Sequence, residues 1–166
     1  MFRRSFLGLA LFVSALAGVS PALAGGPRPF HSEVTAQWDN VLAALPPSSR
    51  GAGVAHFVGG GPTTHMGNTT QVGSLSLFPV SPDPAALIPG GGEVTITAAN
   101  GDTLSFSFFG TLNPLTFEGT GDFIFTGGTG RFAGATGHGT FDALIDVSHG
   151  PVGAPMTVAL DGHVTY

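Results

Sequence analysis

Cysteine is missing from the 166 residues, which excludes a disulfide framework and any thiolate-held metal. Lysine is missing too, so all five basic residues are arginines. Arg3 and Arg4 head an apolar run and are set apart below. Arg28, Arg50 and Arg131 face ten acidic residues, a net charge of −7 over residues 25–166. Phosphate backbones and anionic lipid surfaces are gripped by clustered lysine and arginine. Nucleic acid and anionic membrane are therefore not expected partners. No apolar stretch reaches the ~20 residues of a helical membrane span. The hydrolase spacing G-x-S-x-G is absent. So are H-x-H and H-E-x-x-H, and no two of the six histidines stand closer than nine residues. Without cysteine, a zinc site would need several of them to converge across strands, so no metal is expected.

What is present begins with a leader-like segment. Arg3 and Arg4 give a positive start, Phe6 to Val19 form a short apolar run, and Ala22-Leu23-Ala24 is a small-x-small cleavage site. Residues 1–24 are expected to be a cleaved signal peptide and residues 25–166 a single domain, exported to the periplasm or beyond. Arg3-Arg4-Ser5-Phe6-Leu7 also reads R-R-x-F-L, which resembles the twin-arginine signal. An ordinary secretory leader accounts for the same two charges, and both routes end outside the cytoplasm.

The remainder is strand composition, with threonine, valine and phenylalanine alternating between glycine-rich breaks. Residues 32–38 put Val34, Ala36 and Trp38 on one face. Asn40 to Leu45 read as a helical turn stopped by Pro46-Pro47. Strands are expected over 51–58 and 63–78, parted by Gly59-Gly60-Gly61-Pro62, and a proline-rich loop follows to Pro89. GEVTITAAN and TLSFSFFGTL flank Gly101-Asp102, and Asn100-Gly101 predicts a hairpin with a type I′ turn. Strands over 115–126, 135–147 and 155–166 complete about eight. Each has one apolar face to bury, and closing the sheet removes its edges. The sequence therefore predicts an all-β, eight-stranded antiparallel up-and-down barrel.

Gly128-Thr129-Gly130-Arg131-Phe132-Ala133 matches G-x-G-x-x-G/A, the dinucleotide loop. That loop must open a helix, yet Gly134, Gly137 and Gly139 follow, each costing a helix about 1 kcal/mol relative to alanine. Period two resumes at once, so the stretch reads as a tight reversal and no cofactor is expected. Phe132 can tuck under the barrel end and Arg131 can reach a carboxylate. TGGTGRFAGATGHG, with TAANGDTL and the upstream THMG, resembles the secreted bacterial branch of the allene oxide cyclase barrel-like group. Dirigent proteins carry a similar glycine-glycine-threonine-glycine-x-phenylalanine turn. The resemblance spans roughly residues 50–147, is most specific over Gly127 to Gly137, and implies an eight-stranded barrel that often associates into dimers or trimers. The catalytic residues of those families, acids and an arginine in the cavity among them, align with no position here.

Parity nominates the interior. His65 and Gln71 share it with Leu75 and Leu77, provided that no bulge at Gly67 slips the register. Phe106, Phe108, Phe117, Phe123, Phe125 and Phe141 all fall on inward faces, and Ala98, Gly119, Gly121, Gly137, Gly139 and Ala143 could leave a cavity among them. An eight-stranded interior is just wide enough to be filled, or to hold one small ligand. Glu118, Asp122, Asp142 and Asp146 fall on the outer face. The sequence thus points to an exported barrel that binds a small apolar molecule or acts as an interaction module. The ligand-facing candidates are His65, Gln71, Phe106, Phe108, Phe123, Phe125 and Phe141. The alternative is a cofactor-free cyclase or isomerase that holds an apolar substrate in one reactive shape.

Overall fold

The computed structural model describes residues 25–45, 53–79 and 81–166. The leader expected over residues 1–24 lies outside them. Eight strands, β1 (Arg28–Trp38), β2 (Ala55–Thr63), β3 (Gly67–Leu77), β4 (Ile88–Ala98), β5 (Thr103–Leu112), β6 (Glu118–Gly128), β7 (Thr136–Ile145) and β8 (Pro155–Thr165), follow one another in sequence. Each pairs antiparallel with the next, and β1 pairs with β8 to close the barrel. No helix among the described residues is long and apolar enough to cross a membrane. Strand β1 shows the governing rule most clearly: Phe30, Ser32, Val34, Ala36 and Trp38 are buried and the residues between them exposed. That is period two with one face toward a shared interior.

Strand β2 departs from the sequence reading. It runs straight through Gly59-Gly60-Gly61-Pro62, and the reversal falls later, at Thr64 to Met66. Glycine is needed there for close approach rather than for a turn. A Cβ on Gly59 would strike Ala36 of β1, one on Gly61 the carbonyl of Glu33, and one on Gly60 the carbonyl of Thr69 on β3. Three backbones crowd at this point of the wall, and no side chain fits between them.

The predicted hairpin forms at Asn100-Gly101, with a different turn. Only Gly101 has positive φ, at 87°, so the type I′ geometry, which needs two such residues, is not adopted. Asn100 Nδ2 instead donates to the Asp102 carboxylate at 2.9 Å. Gly130–Phe132 form a single 3₁₀ turn and Ala133 ends it, so no helix opens there. Phe132 is fully buried, and Arg131 Nε lies 3.4 Å from Asp102 Oδ2. The glycine cluster is a reversal that clasps the neighbouring hairpin. The short helical turn expected near Asn40 is a 3₁₀ segment over Val41–Ala44, capped by the Asn40 side chain. Glu118, Asp122, Asp142 and Asp146 are exposed, as the parity required.

Candidate functional site

The interior divides into two unequal halves. At the end that carries the β2–β3 and β4–β5 turns, Phe30, Phe106, Phe123 and Phe125 interlock with ring centroids 4.9–6.2 Å apart, edge to face except for the tilted Phe106–Phe123 pair. Phe132 closes this aromatic end and meets Tyr166 edge to face at 4.7 Å. Such contacts add about 0.5–1.5 kcal/mol per pair beyond the area they bury.

The other half is hollow. Inward positions Gly90, Gly110, Gly119 and Ala143 fall on four neighbouring strands, β4 to β7, where Gly90 pairs with Gly110 and Gly119 with Ala143. All four line the same stretch of wall; a Cβ on Gly119 would meet nothing nearer than 3.7 Å, whereas one on Gly110 would strike the Thr120 carbonyl. The cavity is about 80 Å³, walled by Val34, Trp38, Phe57, Leu75, Phe108 and Phe141 among others. Phe108 and Phe141 meet edge to face at 5.5 Å. Among the described residues no ionisable side chain lines it; the polar side-chain groups in its wall belong to Trp38, Gln71 and Thr111.

Gln71 belongs to a buried polar chain that crosses the inner faces of β1, β2 and β3. Its Nε2 donates to Ser32 Oγ at 3.2 Å, Ser32 Oγ meets Thr63 Oγ1 at 2.7 Å, and Thr63 Oγ1 meets Thr69 Oγ1 at 3.1 Å. Thr69 Oγ1 donates onward to the Gly61 carbonyl at 3.0 Å. Each member would cost about 1–3 kcal/mol if left unpaired, so the chain holds Gln71 in one orientation at the cavity wall. The Trp38 indole N–H has no hydrogen-bond partner among the described residues; its ring lies edge-on to Phe57 at 4.8 Å.

The loops over the hollow end are tied to each other. Asn40 bridges to Val152, Val41 N donates to the Pro151 carbonyl at 3.1 Å, and Trp38 N to the Ala154 carbonyl at 3.0 Å. Asp39 anchors the corner. Its Oδ1 accepts from His56 N at 2.9 Å and Asn40 N at 2.6 Å, and the His56 backbone bond is the main reason that its carboxyl titrates below its ordinary value of 3.8. Asp146 on the facing loop is lowered likewise, chiefly by the Ser148 hydroxyl. Because the folded Asp39 value lies below the unfolded one, its contribution to stability is complete above pH 3.8. It is lost as pH falls through the folded value. The difference in urea midpoint between wild type and Asp39→Asn should therefore be constant near neutral pH and shrink below pH 3.8. A gap that persists unchanged to pH 2 would contradict this account.

Of the residues nominated by parity, Gln71, Phe106, Phe108 and Phe141 line the cavity. Phe123 and Phe125 sit inside the barrel, in the aromatic end rather than at the cavity. His65 does not face the interior at all. Because β2 extends through the glycine run, His65 falls on the turn with φ of 64°, exposed, and its Nε2–H donates to the Pro29 carbonyl at 2.9 Å. Phe117 also leaves its strand, at φ of 58° in the turn before β6. Of the six small inward residues, Gly119 and Ala143 line the cavity, whereas Ala98, Gly121, Gly137 and Gly139 do not. Trp38 and Phe57 were missing from the nominated site although Trp38 shares the parity of Val34; a lone aromatic at a strand end gave no sign that it borders empty space.

The described residues contain no group of three or more His, Asp or Glu placed to hold a metal. No family model and no curated protein matches the chain by sequence. The structure superposes on that of the pterocarpan synthase dirigent protein with a TM-score of 0.51 at 17% identity, over 84% of this chain and 86% of that one. The fold is dirigent-like. At that identity the likeness is one of architecture, and the task of a dirigent-like barrel has to be argued from its own interior.

Proposed function

We propose that this dirigent-like barrel is a binding protein that takes one apolar end of a small molecule into its hollow half. The observation that carries the reading is the cavity of about 80 Å³, lined by the small residues Gly90, Gly110, Gly119 and Ala143 within an aromatic and aliphatic wall. Drug-sized pockets run to roughly 300–1,000 Å³, so the space suits a single ring or a short chain, with the rest of the molecule outside. The Gln71 amide, fixed through Ser32, offers the wall one oriented polar contact. General acid–base chemistry needs a titratable group within reach of the substrate. None of the described residues brings one to this cavity wall, which favours holding over turnover. The leader-like residues 1–24, with their paired arginines and Ala22-Leu23-Ala24, support a site of action outside the cytoplasm.

The test is uptake of an uncharged fluorescent aromatic probe, N-phenyl-1-naphthylamine, by the purified protein. Wild type should enhance its emission saturably. Ala143→Leu places three more carbons in the cavity and should weaken binding at least tenfold while leaving the thermal midpoint equal or higher, as cavity filling does. Equal binding by wild type and Ala143→Leu would overturn the assignment of this cavity.

A further inference from the structure

The outer wall brings together two histidines that lie far apart in the sequence. β7 and β8 run antiparallel with His138 directly opposite His163, and both side chains are exposed. Directly opposed residues of an antiparallel pair carry Cβ atoms about 4.5–5.5 Å apart, close enough for two imidazoles to turn toward one ion. The remaining histidines already have polar partners: His31 in Asp161, His56 in Asp39, His65 in the Pro29 carbonyl and His149 in Ser148.

Their surroundings suit a cation. Ile124 on β6 and Pro29 on β1 bracket the pair in register, and neither side chain can pair with an imidazole. Thr140 and Asp161 form the next opposed pair. Asp161 is held by His31 Nδ1 at 2.8 Å, so it adds negative charge beside the site without being a ligand. Arg28, the nearest basic residue along β1, is drawn to the Tyr166 hydroxyl and ring. The two strands approach closely beneath the pair. Gly139 faces Gly162, and a Cβ on either would meet the opposing strand.

We propose that His138 and His163 form a bidentate site for one late first-row divalent metal ion, each through one ring nitrogen. Imidazole suits copper, nickel and zinc, and affinity rises to Cu²⁺ before falling at Zn²⁺. Two protein ligands leave the remaining positions to water. The site stands on the outer wall and does not depend on what the cavity binds.

The intact, untagged protein is titrated with CuCl₂ alone in a non-coordinating buffer, followed by calorimetry and electron paramagnetic resonance. One high-affinity ion per chain with a two-nitrogen signature is expected, and Zn²⁺ should bind more weakly. His138→Gln and His163→Gln should each lose at least tenfold in affinity, while His65→Gln and His149→Gln stay within twofold. Both ring positions are exposed, so thermal melts without metal should be unchanged and a folding defect cannot mimic the loss. A loss under tenfold in either single variant, or a matching loss in the two control variants, would overturn the site.

Discussion

Replacing Phe123 with alanine is expected to cost about 3–5 kcal/mol of stability, the range for truncating a buried phenylalanine. Its side chain is 1% exposed and touches Phe30, Phe106 and Phe125, at centroid distances of 6.0, 5.1 and 5.2 Å. Three strands therefore lose a shared contact at once. The ring's far edge also rests against Gly139, so the backbone behind it cannot collapse to refill the space. Urea unfolding followed by tryptophan fluorescence reads the effect through the midpoint, with the slope unchanged. Phe109→Ala is the matched control: Phe109 is 62% exposed on the outer wall, and its loss should fall within ±0.5 kcal/mol. Equal costs for the two variants would mean that the aromatic end is not the centre of the core.

Gly61→Val is expected to destabilise by about 1–3 kcal/mol or more, the cost of forcing atoms into a packed site. A Cβ at this position runs into the Glu33 carbonyl and presses on the Val34 backbone of β1. Backbone cannot rotate away as a side-chain tip can, so one strand has to shift, and the β1–β2 register shifts with it. The same substitution at Gly26, which has nothing within 4 Å, should change little. Thermal melts of both variants decide the matter. If Gly61→Val were as mild as the Gly26 variant, the glycine run would be a loop after all.

This contrast also shows how far the sequence could be read. Eight strands were legible because alternation and glycine breaks are local signals, and period two assigns faces without any knowledge of partners. Gly59-Gly60-Gly61-Pro62 misled because a glycine run looks the same whether it turns the chain or slides between two neighbours. Only the neighbours tell the two apart. His65 was carried inward by that error: the expected strand began at residue 63, so parity with Leu75 and Leu77 was extended to a residue that lies on the turn. Phe108 and Phe123 share parity and neighbouring strands, and Phe108 pairs with Phe123 in register. Yet one borders the cavity and the other fills the aromatic end. Alternation says which way a residue points, not what stands across the barrel from it. The pairing of His138 with His163 is invisible for the same reason: it is a property of two strands in register, not of either strand.

Because Phe30, Phe123, Phe125 and Phe132 stop one end, the barrel is a cup rather than a pipe. A molecule held there, as proposed, would have to leave by the end it entered, the end where Asn40 bridges to Val152. A change in that clasp that leaves the free and occupied states equally stable speeds or slows arrival and departure by the same factor. Residence time would then be adjustable at the rim while affinity stays set by the wall.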